Sequence, residues 1–554
     1  MRLRVFLLAF VAFALLGVTW ALASPVLSNP DEPAHSVKAA ATVRGQLVPP
    51  KEQQPDEGPG SLVRGGFTTR VEVPYSYSWQ TSGIPECYIF DKDAPAGCAH
   101  GFTDDAAVIC PRYDASRNTV GACPPDLAST QSLVRWVTLI GRFQPPYYAA
   151  VGWPTLFDTG NAGFFTMRFV SVVLNALLLA AAVACAAAVR RRRFMVIGVL
   201  LAATPQTILM AGSINPNGLE VSAAICTWVA ASVALLDDRD RLPRGVLATL
   251  GVSAVTLVWS RPLSMVWLAV IGVTVLAAFG DRERVRARLR GRAERVTLIV
   301  IFVATLGSTA WTIGADALGQ NSGYDPRGLD LLPAARHSLA LTGSYLRQMV
   351  AVFGWQREPS PVWLSLLWGA AVLAVVVVAL VPWSRRAHDE HDEQGAGTRP
   401  KVVLLALIGF TLLMPTLLQV PSAKRIGFVW SGRYGLPVAV GIPIVAAAMV
   451  GARRLSPRAL RVLGGSIVVA VAFGQVVAHW ANMRRYVVGL DGPVVYFGHD
   501  GWTPPLGAPV LLVLVVVASI GLAWLGYRLG VAEPAGPEAT DAAGAEPVPA
   551  AAGR

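Results

Sequence analysis

Long, nearly unbroken apolar runs dominate the chain. A helix needs about 17–25 predominantly apolar residues to cross a bilayer. Runs near that length lie at residues 5–23, 164–189, 194–212, 219–236, 245–260, 263–279, 296–313, 362–383, 402–420, 436–451, 462–480 and 508–527. The pattern therefore predicts an all-α integral membrane protein with about 12 transmembrane helices.

The first run allows two interpretations. Arg2 and Arg4 precede it and Ala21-Leu22-Ala23 ends it, as in a cleaved signal peptide. An uncleaved first span is favoured, because many later runs are also long enough to cross a bilayer.

Composition and charge agree with a membrane protein. The 554 residues are 53% hydrophobic and 15% charged, with a mean hydropathy of +0.49. Arginines cluster in the short connections at 190–193, 239–244, 282–295, 385–386 and 453–461. Such loops are enriched in Lys and Arg when they are cytoplasmic. The net charge of +12 is therefore interpreted as topology and not as nucleic-acid binding. It predicts an inner (plasma) membrane protein with both termini in the cytoplasm.

The same alternation leaves four segments outside, at residues 24–163, 314–361, 421–435 and 481–507. The first is a large extracytoplasmic loop with four cysteines in an oxidising compartment. Two disulfides are predicted, and three pairings are possible. A zinc site is the alternative, but the spacings contain no paired C-x-x-C knuckle. The four are Cys87, Cys98, Cys110 and Cys123.

Two stretches differ in composition from the polytopic domain, which is assigned to residues 1–530. Residues 388–393 alternate His with Asp and Glu, for which a solvated cytoplasmic linker is favoured over a metal site. Residues 531–554 are dominated by Ala, Pro, Gly and Glu. This tail cannot bury enough apolar surface to fold, and it is predicted to be a disordered cytoplasmic segment.

The most informative polar segment, residues 29–35, follows the first run directly. It contains an ordinary helix start, with Asn29 as N-cap, Pro30 in the first helical position and Glu32 in the third. In a functional interpretation, Asp31 and His35 are four residues apart and share one helix face. A carboxylate and an imidazole so arranged suit a base and a phosphate partner.

Five short motifs in order resemble a known bacterial multi-pass family, the domain of unknown function 2142, over about residues 5–525. Members of that family look like GT-C glycosyltransferases. The resemblance implies a GT-C-like fold. It also implies an enzyme that transfers a sugar from a polyprenyl-phosphate donor to a glycan or lipid acceptor of the cell envelope, on the outer face of the membrane. The motifs are residues 29–35, 142–148, 213–218, 353–355 and 432–437.

The resemblance also implies a role for the acidic pair, since GT-C enzymes carry a functional acid just after the first span. Asp31 and Glu32 match it in position and are the predicted catalytic residues. A polyprenyl phosphate leaves as a stable anion, so no general acid is needed. One carboxylate that deprotonates the acceptor hydroxyl is enough for a single displacement with inversion, unlike glycoside hydrolysis with its two carboxylates.

The leaving phosphate needs cationic or hydrogen-bonding partners. Five candidates are near the outer surface, and arginine suits phosphate because its planar fork donates two bonds. For one of them, Arg433, a structural ion pair or an interfacial anchor is the alternative. The candidates are His35, Arg261, Lys424, Arg425 and Arg433.

Another set of residues could line the groove of the donor. For Asn217 and Glu220, at the start of the fourth run, the alternative is a helix cap, which is favoured for the neighbouring Asn215. The others follow an interfacial helix predicted before residue 353, where aromatic residues are often membrane-belt residues. They are Tyr345, Arg347 and Trp355.

Two other classes of function compete with a transferase. Twelve spans with a basic cytoplasmic face also describe secondary carriers, although no matched pair of broken helices is visible in two halves of the chain. A non-catalytic scaffold of envelope assembly is the other class. No phosphate loop of an ATP-driven pump occurs. A divalent metal beside Asp31 and His35 stays open.

Overall fold

The computed structural model describes residues 3–53, 67–78, 93–96, 132–189, 193–239, 241–319, 330–355, 358–381, 397–451, 455–499 and 502–532. For residues 358–359, 422 and 424–426 it describes the backbone alone. The predicted disulfides, the 388–393 linker and the tail from residue 533 lie outside these ranges.

The described chain is mostly helical. The helices are α1 (Leu3–Leu22), α2 (Glu32–Thr42), α3 (Pro145–Gly152), α4 (Asn161–Ala186), α5 (Met195–Ala202), α6 (Pro205–Ala211), α7 (Pro216–Leu236), α8 (Arg244–Val258), α9 (Ser264–Phe279), α10 (Arg282–Arg290), α11 (Arg292–Gly314), α12 (Leu331–Ala340), α13 (Thr342–Ala351), α14 (Val362–Leu380), α15 (Thr398–Ile426), α16 (Gly432–Ala439), α17 (Gly441–Gly451), α18 (Pro457–Val488) and α19 (Ala508–Gly530).

Nine helical segments among the described residues are long and apolar enough to cross a membrane, and one of them, Gly432–Gly451, consists of α16 and α17 together. Three other predicted spans are shorter or interrupted. The predicted span 194–212 is divided between α5 and α6, and the spans at 245–260 and 263–279 are the 15-residue α8 and the 16-residue α9. The count of about 12 therefore remains a prediction.

The break between α5 and α6 follows from Thr204 and Pro205. Proline begins α6, and the Thr204 hydroxyl accepts a hydrogen bond from the Thr207 backbone N at 3.1 Å, which caps the helix. The break also exposes backbone carbonyls to partners from other helices. Gln475 of α18 donates to the Ala203 carbonyl at 2.8 Å, and Trp368 of α14 donates to that of Leu201 at 3.0 Å. Interhelical side chains thus satisfy backbone groups that lipid cannot.

The prediction of an all-α protein missed two small sheets. In the first loop, β1 (Lys51–Gln53), β2 (Phe67–Pro74) and β3 (Leu133–Thr138) form an antiparallel sheet in the order β1-β2-β3. Residues 67–74 alternate between the two faces, with Val71 and Val73 buried. β4 (Val352–Phe353) and β5 (Glu358–Pro359) form a second antiparallel pair. The search for long apolar runs could not detect strands this short.

Helix α7 lies at the centre of the bundle, and nearly all its residues are buried. It packs against α4, α8 and α9, and also against α6, α16 and α17. The start of α7 lies beside the turn between α1 and α2, because the side chain of Asn215 donates to the Pro30 carbonyl at 2.8 Å. The start of α16 lies there too, because Arg433 contacts Asp31.

Candidate functional site

The turn between α1 and α2 holds Asp31 in an unusual backbone conformation. Helix α2 begins at Glu32, and Asp31 is its N-cap, with φ +58° and no hydrogen bond from its side chain to the helix. The expectation that Asn29 would cap the helix is therefore wrong. Left-handed backbone is unfavourable for a residue with a side chain, although Asp tolerates it better than most. The conformation directs the Asp31 carboxylate away from its own helix.

That carboxylate pairs with Arg433 in the first turn of α16. Oδ2 of Asp31 accepts a hydrogen bond from Nη2 of Arg433, although the two residues are 402 positions apart. The Asp31 side chain is 39% exposed, whereas that of Arg433 is 5% exposed. A ligand can therefore approach the ion pair from the side of the Asp31 carboxylate.

Tyr434 brings a second arginine to this pair. Its ring lies 5.1 Å from the guanidinium carbon of Arg433 and 4.8 Å from that of Arg261, and its hydroxyl accepts from Nη2 of Arg433 at 3.2 Å. Nη1 of Arg261 lies 3.7 Å from Oε2 of Glu220, whose Oε1 accepts from the Ser264 hydroxyl at 2.6 Å. Glu220 is thus the ion-pair partner of Arg261, at a distance that leaves the pair loose.

Several buried N–H groups at this site have no hydrogen-bond partner among the described residues. They are Nε and Nη1 of Arg433, Nε of Arg261 and the side-chain amide nitrogen of Asn217. The neighbouring Asn215 has the cap role that was favoured for it, because its side-chain oxygen accepts from the backbone N of Asn217 at 3.0 Å. Buried donors are normally paired. The surplus of donors, three of them on two arginines, suits an anionic ligand.

His35 and Tyr148 form the other side of the site. Nδ1 of His35 and the Tyr148 hydroxyl are 2.9 Å apart, and the two rings stack at 5.9 Å. Burial, helped by the nearby Arg261 and Arg433 and opposed by Asp31, lowers the pKa of His35 to about 3. Burial acts to raise the pKa of Asp31, but nearby groups, Arg433 foremost, outweigh it and lower that pKa. We expect a neutral imidazole beside a charged carboxylate.

This neutral imidazole predicts a loss of stability in mild acid. The unfolded chain takes up a proton on His35 below its ordinary pKa of 6.5, whereas the folded protein resists it until about pH 3. The stabilisation is therefore complete above pH 6.5 and declines as the pH falls below that value. At pH 5 the loss should be about 1–2 kcal/mol. Melting of the purified protein at pH 7 and pH 5 measures it. His35→Gln should reduce the difference between the two, while His337→Gln on α12 should not.

Glu32, the other acid of the pair, has different surroundings. Its carboxylate accepts from Nε and Nη2 of Arg168 at 2.9 and 2.6 Å, and from the Ile214 backbone N at 3.0 Å. Neither side chain of the ion pair is exposed. Arg168 also donates to three backbone carbonyls between residues 21 and 25, each at 2.7 Å. A saturated, enclosed carboxylate cannot reach a substrate, so the assignment of Glu32 as a catalytic residue is corrected to a structural one.

The remaining predicted residues are not all at this site. Tyr345 is buried next to the start of α16. Its carbonyl oxygen lies so close to Gly432 that a Cβ atom at position 432 would clash with it. Arg347 is half-buried on α13, and Trp355 packs with Tyr486 and Trp502. For Lys424 and Arg425, in the last turn of α15, the side chains lie outside the described part of the chain.

Sequence reasoning missed three residues that build the site. Arg168 lies within an apolar run, Tyr148 lies in the 142–148 motif, for which no role was predicted, and Lys38 follows the predicted helix start. Nζ of Lys38 donates to the carbonyls of Leu47, at 3.1 Å, and Gly141, and it lies over the Tyr148 ring. Arg168 is a charged residue within a predicted span, and this was the signal in the sequence that could have identified it as part of the site.

An apolar cavity of about 460 Å³ opens between α3, α4, α7 and α8. Tyr147 is one of its wall residues and packs edge-to-face on Tyr148, with ring centroids 5.4 Å apart. The cavity therefore ends one aromatic ring away from the His35 side of the site. The other wall residues are Pro146, Ala150, Leu174, Leu177, Leu178, Leu219, Val252, Val255, Thr256 and Trp259.

Comparison with known proteins identifies the family of this chain. No curated protein matches the chain. The crystal structure of ArnT from Cupriavidus metallidurans bound to undecaprenyl phosphate is similar at 13% sequence identity and a TM-score of 0.41, over 94% of this chain and 76% of that chain. These values are too low to support an argument about fold or ligand. The family model described as "Predicted membrane protein (DUF2142)" matches residues 13–442, most of the chain. The chain belongs to this family of membrane proteins.

Proposed function

We propose that the protein is a GT-C-like membrane glycosyltransferase. It transfers a sugar from a polyprenyl-phosphate donor to a glycan or lipid acceptor of the cell envelope, on the outer face of the plasma membrane. The observation that carries the proposal is the pairing of an accessible carboxylate, Asp31, with Arg433, close to a second arginine, Arg261; both arginines have buried N–H groups without a hydrogen-bond partner among the described residues.

The surplus donors suit the phosphate of such a donor. A phosphodiester carries one negative charge and several acceptor oxygens, and arginine binds it through two parallel hydrogen bonds. Arg433 and Arg261 would be the charged partners, with Asn217 as a neutral one. His35, being neutral, could contribute a hydrogen bond but not a positive charge.

The apolar cavity beside Tyr147 suits the prenyl chain. Its walls come from the spanning helices α4 and α7 and from α8, and they are almost entirely aliphatic or aromatic. A chain lying there would have its head near Tyr148 and His35. A site with polar donors close to an apolar cavity matches a lipid-linked donor better than it matches a soluble sugar nucleotide.

In this reaction one carboxylate is enough. Asp31 takes the proton of the acceptor hydroxyl, whose oxygen forms the new bond to the anomeric carbon. The bond from that carbon to the phosphate oxygen breaks, and polyprenyl phosphate departs with the electron pair, bound by Arg433. The sugar is inverted. Among the described residues no group of three or more His, Cys, Asp and Glu could hold a metal ion. The steps above use side chains only.

Replacing Arg433 tests the phosphate site. Arg433→Gln should weaken binding of a polyprenyl phosphate by about 10–100-fold, because hydrogen bonds to a charged group contribute about 1.5–3 kcal/mol. Fluorescence titration of the purified protein in lipid nanodiscs measures this. Arg336→Gln, at an exposed position of α12, is the matched control and should bind as the wild type does. Equal affinities for the two variants would contradict the proposal.

Product analysis separates the proposed function from its alternatives. Purified protein in vesicles, supplied with a labelled lipid-linked sugar and an envelope extract, should form a new glycosidic product. A carrier would move the label across the bilayer without such a product. A scaffold would do neither.

A further inference from the structure

Asp31 blocks the arginine that the donor needs. A guanidinium offers two bidentate edges, one formed by Nε and Nη2 and the other by Nη1 and Nη2. Nη2 belongs to both edges, and its two hydrogens are the ones that complete them. In this protein Nη2 donates to Asp31 and, at 3.2 Å, to the hydroxyl of Tyr434.

The second nitrogen of each edge, Nε or Nη1, donates to no described residue. Nε and Nη1 of Arg433 are buried without a hydrogen-bond partner in the described part of the chain, and the side chain is only 5% exposed. A phosphate that binds either edge through two parallel bonds must therefore take one Nη2 hydrogen. It takes that hydrogen from Asp31 or from Tyr434.

The same contact restrains Asp31 as a base. While Arg433 donates to its carboxylate, the charge that would attract a proton is compensated. A base held this way is weak until its partner is withdrawn. Arg261 also lies over the Tyr434 ring and adds positive charge near Asp31.

We propose that the donor phosphate activates Asp31: by binding a bidentate edge of Arg433, it takes the Nη2 hydrogen from the carboxylate and releases it to accept a proton. This mechanism rests on the proposed function and deepens it. When the phosphate takes the hydrogen that Asp31 holds, deprotonation of the acceptor hydroxyl follows binding of the phosphate-linked sugar, whereas a phosphate that takes the hydrogen held by Tyr434 leaves Asp31 paired. An acceptor that arrives first meets a carboxylate still paired with Arg433.

Because phosphate binding and protonation of Asp31 are thermodynamically linked, the proposed activation of Asp31 can be tested by binding measurements alone. If the phosphate displaces Arg433 from Asp31, then phosphate binding and protonation of Asp31 favour one another reciprocally. Affinity for a phosphodiester should then rise as the pH falls from 7 towards 4.5. The charged and titratable groups around Asp31 are His35 of α2, Tyr148 of α3, Glu220 of α7, Arg261 after α8, and Arg433 and Tyr434 of α16.

Farnesyl methyl phosphate is a suitable probe, because a phosphodiester stays singly charged over this range. Calorimetric titration of the full chain in nanodiscs at pH 7 and pH 4.5 compares the wild type with Asp31→Asn. The variant should bind about fivefold tighter or more at pH 7, within the usual range of coupling between sites. It should also lose most of the pH dependence of binding. Glu220→Gln controls for titration of the other carboxylate and should retain that dependence.

A second variant keeps the test decisive if Asp31→Asn does not fold. Tyr434→Phe removes the other competitor for Nη2, so a phosphate can use that edge without disturbing Asp31. Its affinity should rise and become independent of pH. Unchanged affinity and an unchanged pH dependence in both variants would overturn the activation of Asp31 while leaving the phosphate site intact. Absence of probe binding to the wild type at either pH would overturn the proposed function and this inference together.

Discussion

Asp31→Asn should lower the rate of sugar transfer by about 10²–10⁴-fold, the usual contribution of a general base. Asparagine has nearly the same volume as aspartate and also tolerates the left-handed backbone at φ +58°. The turn between α1 and α2 should therefore survive, and only the base should be lost. The rate is measured with saturating lipid-linked sugar and acceptor, so that binding of the donor does not limit it.

The control for this prediction is an acid in the same loop that is remote from the site. Glu72 is exposed on β2, and Glu72→Gln should transfer sugar at the wild-type rate. A normally expressed Asp31→Asn protein with wild-type activity would remove Asp31 from the mechanism. The arrangement of Glu32 would not allow it to substitute, because its carboxylate is enclosed by Arg168.

The sequence predicted a helical membrane protein and proposed Asp31 as a site residue, because both depend on local pattern. Apolar runs mark the nine long helical segments, and the acidic turn after the first run marked Asp31. Arg433 was also found, because it lies in a short polar segment between two apolar ones. Its pairing with a residue 402 positions away could not be predicted, since it depends on how α16 packs beside the first loop.

The roles of the two neighbouring acids could not be separated from sequence. Asp31 and Glu32 are adjacent in a single turn, and either could have faced the site. The left-handed conformation of Asp31 directs one carboxylate to Arg433 and leaves the other beside Arg168. Arg168 itself was overlooked because apolar residues surround it in the second predicted span. Its partner lies 136 positions earlier.

The same ion pair gives the prediction with the largest effect on stability. Glu32→Gln leaves the Arg168 cation in a site without solvent exposure and without a counter-charge. Breaking a buried pair from one side costs about 3–5 kcal/mol. Removing both charges, as in Glu32→Gln with Arg168→Met, should cost less than the sum of the single changes, because no isolated charge remains. Reversible unfolding in mixed micelles with increasing denaturing detergent measures all three variants.

An exposed pair between the first loop and the segment that follows α11 provides the comparison. Lys51 and Asp316 form an ion pair whose side chains are 21% and 57% exposed. Because water screens it, Asp316→Asn should cost less than about 1 kcal/mol. If Glu32→Gln were no more destabilising than Asp316→Asn, the buried pair would not be what organises the turn between α1 and α2. In that case the conformation of Asp31 would depend on its contact with Arg433 instead.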